Sequence, residues 1–258
     1  MQKVLRSAVA ILAAGVSVQA AAQSCVKQSP PHRVALLELY TSEGCDSCPP
    51  ADKWLSGLGE SGWQDKLIPL ALHVDYWDQL GWKDRFASPL FTERQHGLAR
   101  LGGSGVVYTP GVFLNLRELR GWNSGSRLKD AVATVNGRPA GADIRLELSP
   151  SASEIKVNAQ FRLRPNGNAK QPQVFLALYE SRLSSQVKAG ENRGVTLKHD
   201  NVVRRWIGPI PLQEAGMVAR TLPLERDWKP KDLGVAGFVQ DTASGEVLQA
   251  TALAACTA

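Results

Sequence analysis

The 258-residue chain carries 30 Lys and Arg against 24 Asp and Glu, a formal charge of +6, and 43% of its residues are hydrophobic. That apolar content suffices for one large domain or two ordinary ones. The basic residues are scattered, Arg204-Arg205 being a pair rather than a run, and no aromatics interleave a basic stripe, which argues against a nucleic-acid partner.

Met1 to Ala22 begins with Lys3 and Arg6, continues through an apolar run from Ala8 to Val18, and ends in the small-residue tail QAAAQ. This order predicts a secretory signal peptide over 1–22, cleaved near Ala20 or Ala22. The apolar run is too short for the roughly 20 residues that a membrane span needs. A lipid anchor through Cys25 is the weaker alternative, because Ala22 stands where a lipobox carries leucine. No later segment is long and apolar enough to span. The mature chain is therefore expected to be periplasmic or secreted.

The four cysteines are Cys25, Cys45, Cys48 and Cys256. Export permits disulfides, and four cysteines allow three pairings. The expected pairs are Cys45 with Cys48, and Cys25 with Cys256 as a structural bridge between the mature termini. The rival arrangement leaves Cys25 and Cys256 free on frayed ends. A terminal bridge would contribute roughly 5 kcal/mol at most in the chain-entropy model.

RVALLELY, from Arg33 to Tyr40, reads as a buried strand. Pro49 to Leu58 reads as a helix, with Trp54, Leu55 and Leu58 on one face and two prolines in the first turn, where they are tolerated. KLIPLALHVD, from Lys66 to Asp75, is a second buried strand. After the polar, aromatic YWDQLGWKDRFASP come a helix from Phe91 to Leu101, a glycine-rich loop, the Thr109-Pro110 step and a strand. Ser126 to Val135 repeats Leu128, Val132 and Val135 as a helix does. Alternating strands and helices point to an α/β layer. Beyond Gly137-Arg138-Pro139, period-two alternation yields seven strand candidates, from ADIRLELS to EVLQATALA, with Asp241 to Gly245 a turn before the last. This predicts an all-β sandwich-like domain. The expected division is 23–140 for the α/β domain, with an insertion near 76–89, and 141–258 for the β domain.

The stretch TSEGCDSCPPAD places Cys45 and Cys48 at the predicted helix start. Helix N-terminal amides and the macrodipole favour a thiolate there. Cys45 is expected to be the exposed, attacking thiol and Cys48 the inner, resolving one. Asp46 between them opposes thiolate formation.

The order strand, CxxC, helix, strand, helix, loop, Thr-Pro, strand resembles the thioredoxin superfamily over about Arg33 to Val135. The resemblance implies that Pro110 is a cis-proline facing the cysteines and that Thr109 offers backbone contacts to a bound peptide. The longer phrases LYTSEGCDSCPPAD, HVDYWDQLGWKD, YTPGVFLN and GENRGVTLKHDNVVR resemble one exported family, catalogued as domain of unknown function 1223. That family implies a thioredoxin-like fold and no settled substrate.

The leading expectation is an exported thiol–disulfide oxidoreductase-like protein with protein or peptide thiols and disulfides as partners and no cofactor. One alternative is a soft-metal, copper carrier using Cys45, Cys48 and His73, since thiolate and imidazole suit that metal. Another is a non-catalytic interaction protein whose cysteines are a permanent staple. Glu43 either tunes the thiol or is a loop charge. Asp75 either accepts a proton from the inner cysteine or caps the following loop. Tyr76, Trp77 and Trp82 form either a lip for a peptide or the packing face of the insertion. Glu191-Asn192-Arg193-Gly194 and His199-Asp200-Asn201 are unusually polar for a plain sandwich, and read as interdomain contacts, a ligand patch, or ordinary turns.

Overall fold

The computed structural model describes residues 24–60, 62–165 and 169–254. The expected signal peptide and Cys256 lie outside the described residues, whereas Cys25 is disulfide-bonded. A short strand β1 (Cys25–Gln28) leads into β2 (Ala35–Thr41), α1 (Pro49–Glu60), β3 (Leu67–His73), α2 (Pro89–Leu101), β4 (Gly111–Leu114), β5 (Arg117–Glu118) and α3 (Gly125–Asn136). Beyond α3 the described residues are strand and loop with one short 3-10 turn. They comprise β6 (Ala142–Pro150), β7 (Glu154–Leu163), β8 (Pro172–Glu180), β9 (Leu183–Gln186), β10 (Thr196–His199), β11 (Val202–Pro211), β12 (Ala215–Pro223), β13 (Leu233–Asp241) and β14 (Glu246–Ala254). The protein is thus mostly β with a few helices in its first half.

Continuous apolar strands belong where both faces are covered, and β2 is such a strand. Its Ala35, Leu37 and Leu39 pack with Leu55 and Leu58 of α1 and Leu128 and Val132 of α3. Its Leu36 and Tyr40 face the other way, toward Phe91 and Leu98 of α2 and Phe238 of β13. β3 runs parallel to β2 in register from Ala35–Leu67 to Thr41–His73. β4 returns antiparallel, opposing Gly111 to Tyr40. The C-terminal ends of β2 and β3 and the start of β4 therefore lie along one edge. α2 begins there, its Ser88 Oγ accepting from the Leu90 amide and Pro89 in the first turn.

The strands order as β14-β13-β8-β11-β3-β2-β4-β5 in one sheet and β1-β6-β7-β12 in a second, and β9 and β10 form a small third pair. Strands from both sides of residue 140 share the large sheet, joined where Val202 of β11 meets Ala71 of β3. The alternation seen in β6 and β7 buries Ile144, Leu146, Leu148, Val157 and Phe161 against Val174, Leu176, Val235 and Val239 of the large sheet. These two sheets enclose a second core. The shared sheet also brings the β9–β10 pair and its connecting loop to the edge where β2 and β3 end.

Candidate functional site

The cysteines sit at that edge. Cys45 and Cys48 are joined in a disulfide. Helix α1 begins at Pro49, where the sequence predicts it, and the Cys48 carbonyl accepts from the amides of Ala51 (2.9 Å) and Asp52 (3.1 Å). Cys48 is therefore the cap of α1, and Cys45 stands in the turn before it. Asp46 and Ser47 between them are exposed. Both cysteines are 0% exposed, so Cys45 is not the open outer thiol expected from its place in the motif. The reason is a roof from two distant segments.

The first segment is the insertion. The Trp77 indole donates to Thr109 Oγ1 at 2.8 Å, and a methyl added at Gly44 would stand 3.0 Å from Trp77 Cβ. Trp77 thus lies against the cysteine loop on one side and the Thr109–Pro110 loop on the other. The Trp82 indole donates to Glu43 Oε2 at 2.8 Å. Thr109–Pro110 is a cis peptide that leads straight into Gly111, the residue paired with Tyr40 of β2.

The second segment is the loop between β9 and β10. Asn192, 6% exposed, donates through Nδ2 to the carbonyls of Glu43 (2.9 Å) and Cys45 (2.8 Å). Glu191 Oε2 accepts from the Asp46 amide at 3.1 Å. At Gly190, where φ is +73°, an added Cβ would stand 3.3 Å from Trp82 Cβ. The polar run Glu191–Gly194 is therefore a contact onto the cysteine loop.

Beneath the loop lies a buried charged cluster. His73, at the end of β3, donates through Nδ1 to Asp84 Oδ2 at 2.7 Å. Asp84 also accepts from the amides of Glu43 (2.9 Å) and Phe86 (2.9 Å). His199 of β10 donates through Nε2 to Glu43 Oε1 at 3.2 Å. The two imidazoles meet edge to face, 5.0 Å between centroids. Asp52, in the first turn of α1, has its carboxylate 3.8 Å from His199 Nδ1. Asp52 Oδ1 and Oδ2, His73 Nε2 and His199 Nδ1 are buried without hydrogen-bond partners among the described residues.

Burial opposes charge on each of these groups, and the balance differs. For His73 the carboxylates of Asp84, Asp52 and Glu43 outweigh burial and raise its pKa. For Asp84 the His73 charge and the donated hydrogen bonds outweigh it and hold the carboxyl below the usual range. Glu43 is likewise lowered against burial, through hydrogen bonds that include those from His199 and Trp82. At Asp52 burial wins over the attraction of both imidazoles, and its carboxyl is pushed up.

Of the residues singled out from the sequence, Cys45, Cys48, Glu43, Asp46 and Thr109 meet around the roofed loop, and His73 lies in the cluster beneath it. Asp75 turns elsewhere, accepting from Thr92 Oγ1 of α2 at 2.6 Å. Asp52, four residues beyond the inner cysteine, donates its amide to the Cys48 carbonyl at 3.1 Å. Of the residues weighed for copper, the two cysteine sulfurs share a bond in this oxidised state, and His73 bonds Asp84 through Nδ1. Among the described residues no three His, Cys, Asp or Glu side chains are grouped to hold a metal ion. Sequence reasoning missed Asp52 and Asp84. It noted Asn192 and His199 only as parts of dense polar runs.

No curated protein matches the chain. Two solved structures resemble it over most of its length. A structural-genomics protein from Agrobacterium tumefaciens is 26% identical, with a TM-score of 0.62 over 88% of this chain and 96% of that one. HBP35 of Porphyromonas gingivalis is 14% identical, with a TM-score of 0.64 over 88% of this chain and 76% of that one, a likeness of fold alone. A family model described as protein of unknown function (DUF1223) matches residues 36–240, and the chain belongs to that family.

Proposed function

We propose that the chain is an exported, thioredoxin-like protein that exchanges thiols and disulfides through Cys45 and Cys48 once the roof over them opens. The observation that carries this reading is the placement of the bonded pair: Cys48 caps α1, on the edge where the Thr109–Pro110 loop enters β4 beside β2. The succession β2-α1-β3-α2-β4-β5-α3 supports a thioredoxin-like unit, with β3 parallel and β4 antiparallel to β2 and β5 antiparallel to β4. A disulfide also suits the oxidising compartment expected from the N-terminal segment.

In the exchange, a partner thiolate attacks Cys45 Sγ. The Cys45–Cys48 bond breaks, a mixed disulfide forms, and Cys48 leaves as a thiolate that takes up a proton. The partner's second thiol, deprotonated, then attacks its own sulfur in the mixed disulfide. Cys45 leaves as a thiolate and is protonated, and the partner departs oxidised while this protein holds two thiols. The reverse sequence reduces a disulfide, and the relative potentials of the two couples set the direction. The β-rich half contributes the Asn192 loop and with it part of the roof.

The complete burial of both cysteines favours a second reading, a permanent staple in a non-catalytic interaction protein. One experiment separates the two. The mature protein is equilibrated in glutathione buffers of graded potential, quenched by alkylation and weighed, with Cys48→Ser used to trap a mixed disulfide on Cys45. Exchange predicts a reversible two-electron transition and a trapped adduct. A pair that stays oxidised throughout, with no adduct on the variant, ends the exchange reading.

A further inference from the structure

We infer that Asn192 is a positioning residue for the cysteine pair: it latches the Glu43–Cys45 loop shut and so sets how readily the disulfide can be attacked. The inference rests on the exchange reading above and deepens it, because it locates the control of that reaction in the β-rich half of the chain.

The argument starts from the loop's own hydrogen bonds. The Cys45 amide is taken by the Ser42 carbonyl at 3.2 Å and the Cys48 amide by the Cys45 carbonyl at 3.3 Å. The Gly44 amide is taken by Ser42 Oγ at 3.1 Å. These bonds are local and persist if the loop swings outward. From outside the loop, the single amide of Asn192 donates to the carbonyls of both Glu43 and Cys45, the latter also accepting from the Cys48 amide. One planar NH₂ group thus spans two carbonyls that flank the roofed Gly44.

The latch is itself held firmly. The Val195 amide donates to the Asn192 carbonyl at 3.0 Å, Gly194 to Val187 at 2.9 Å, and Val187 to Val195 at 3.0 Å. These bonds close a compact turn at the tip of the β9–β10 pair, whose register runs from Thr196–Gln186 to His199–Leu183. At the foot of that pair His199 reaches Glu43. The β9–β10 hairpin therefore grips the cysteine loop through a side chain above and a side chain below. Glu191 adds a third, exposed grip on the Asp46 amide.

Attack on a sealed disulfide needs a prior opening, so the observed rate scales with the population of the open state. Loss of the Asn192 amide removes the donor to the Glu43 carbonyl and one of the two to the Cys45 carbonyl in the closed loop, while the open loop can hydrate both. The closed state loses stability relative to the open one, and reduction accelerates.

The test measures the rate at which dithiothreitol reduces Cys45–Cys48 in the full mature chain. The reagent's two thiols supply both electrons and both protons and end as a cyclic disulfide. Asn192→Ala should raise that rate about tenfold or more, as expected for two lost hydrogen bonds. Val157→Ala, in the core between the two large sheets, serves as a variant destabilised away from the site. A rate for Asn192→Ala within about twofold of wild type, or no higher than that of Val157→Ala, overturns the latch, since bonds of this size cannot vanish unnoticed. If Asn192→Ala does not fold, Glu191→Ala decides: release of the exposed grip should raise the rate a few-fold, and an unchanged rate overturns the inference. Wild type is run beside them with glutathione. Failure to exchange there ends the oxidoreductase reading, while the dithiothreitol ratio still judges the latch.

Discussion

His73 Nδ1 stands 2.7 Å from Asp84 Oδ2, with both side chains wholly shielded from solvent. The pair ties the end of β3 to the insertion that roofs the cysteine loop, because the same Asp84 oxygen also takes the Glu43 amide. Buried pairs need not stabilise relative to apolar replacements, yet removing one partner strands the other. Asp84→Ala is therefore expected to lower unfolding free energy by about 3–5 kcal/mol, read from urea denaturation. It should also loosen the roof, so that limited proteolysis cuts between β3 and α2 sooner. A variant as stable as wild type would remove the cluster from any account of the roof.

The same cluster gives stability a pH optimum. The raised pKa of His73 means its stabilisation is complete below its ordinary value of 6.5 and drains away as pH climbs through the folded value. Asp52, also raised, adds a cost on ionising in the folded protein, in the same direction. The lowered values of Glu43 and Asp84 mean their contributions are complete above 4.5 and 3.8 and are lost as pH falls toward the folded values. The thermal midpoint should therefore peak between pH 4.5 and 6.5 and decline on both sides. The groups facing His73 are Asp84, Asp52, Glu43 and the His199 ring. His73→Gln should flatten the alkaline limb, measured by circular dichroism across pH. A midpoint that keeps rising into alkaline pH would contradict the charged-imidazole assignment.

Gly44 tests the roof from above. A methyl there would press on Trp77 Cβ at 3.0 Å, and Trp77 is anchored through its indole to Thr109. Gly44→Ala should cost about 1–3 kcal/mol, as overpacking does, and shift Trp77 away from the cysteine loop. The readout is a change in tryptophan emission relative to a Trp77→Phe reference, with faster alkylation of the reduced cysteines. No change in either would show that the approach of Trp77 is not what seals the pair.

What the sequence discloses and what it hides follow from chain distance. β2 and β3 are legible because a strand covered on both faces is apolar at most steps, and Ala35 to Thr41 is buried throughout, Glu38 included. The α1 face and the β6–β7 alternation are legible for the same local reason. The β9–β10 pair is not: LSSQ and TLKH bury only alternate residues and contain no apolar run. Nor can motif spacing reveal that Cys45 is sealed, because its cover comes from Trp77 and from Asn192, the latter 147 residues away. Asp75 stands closer to the end of β3 and draws the eye, but Thr92 claims it. Asp52 is hidden by looking like an ordinary first-turn acid of a helix, where carboxylates are common for their favourable interaction with the dipole.

Asp52 also yields a prediction that separates stability from function. Its carboxylate is buried with no hydrogen-bond partner among the described residues, and burial pushes its pKa up. The charged form is therefore a cost to the fold, of the order of 1–3 kcal/mol for a polar group left unmatched. Asn has nearly the same shape and no charge, so Asp52→Asn should raise the thermal midpoint above the acid range and leave it unchanged where Asp52 is already protonated. A residue that weakens the fold is retained where it serves chemistry. Its amide is bonded to the Cys48 carbonyl at 3.1 Å, which sets it one helical turn beyond that cysteine and makes it the candidate proton donor when Cys48 departs as a thiolate. Asp52→Asn should then slow glutathione exchange by 10²-fold or more, as loss of a general acid does, while raising stability. A more stable variant that exchanges at the wild-type rate would leave Asp52 without a role in proton transfer. A less stable one would mean that the two imidazoles depend on its charge more than burial opposes it.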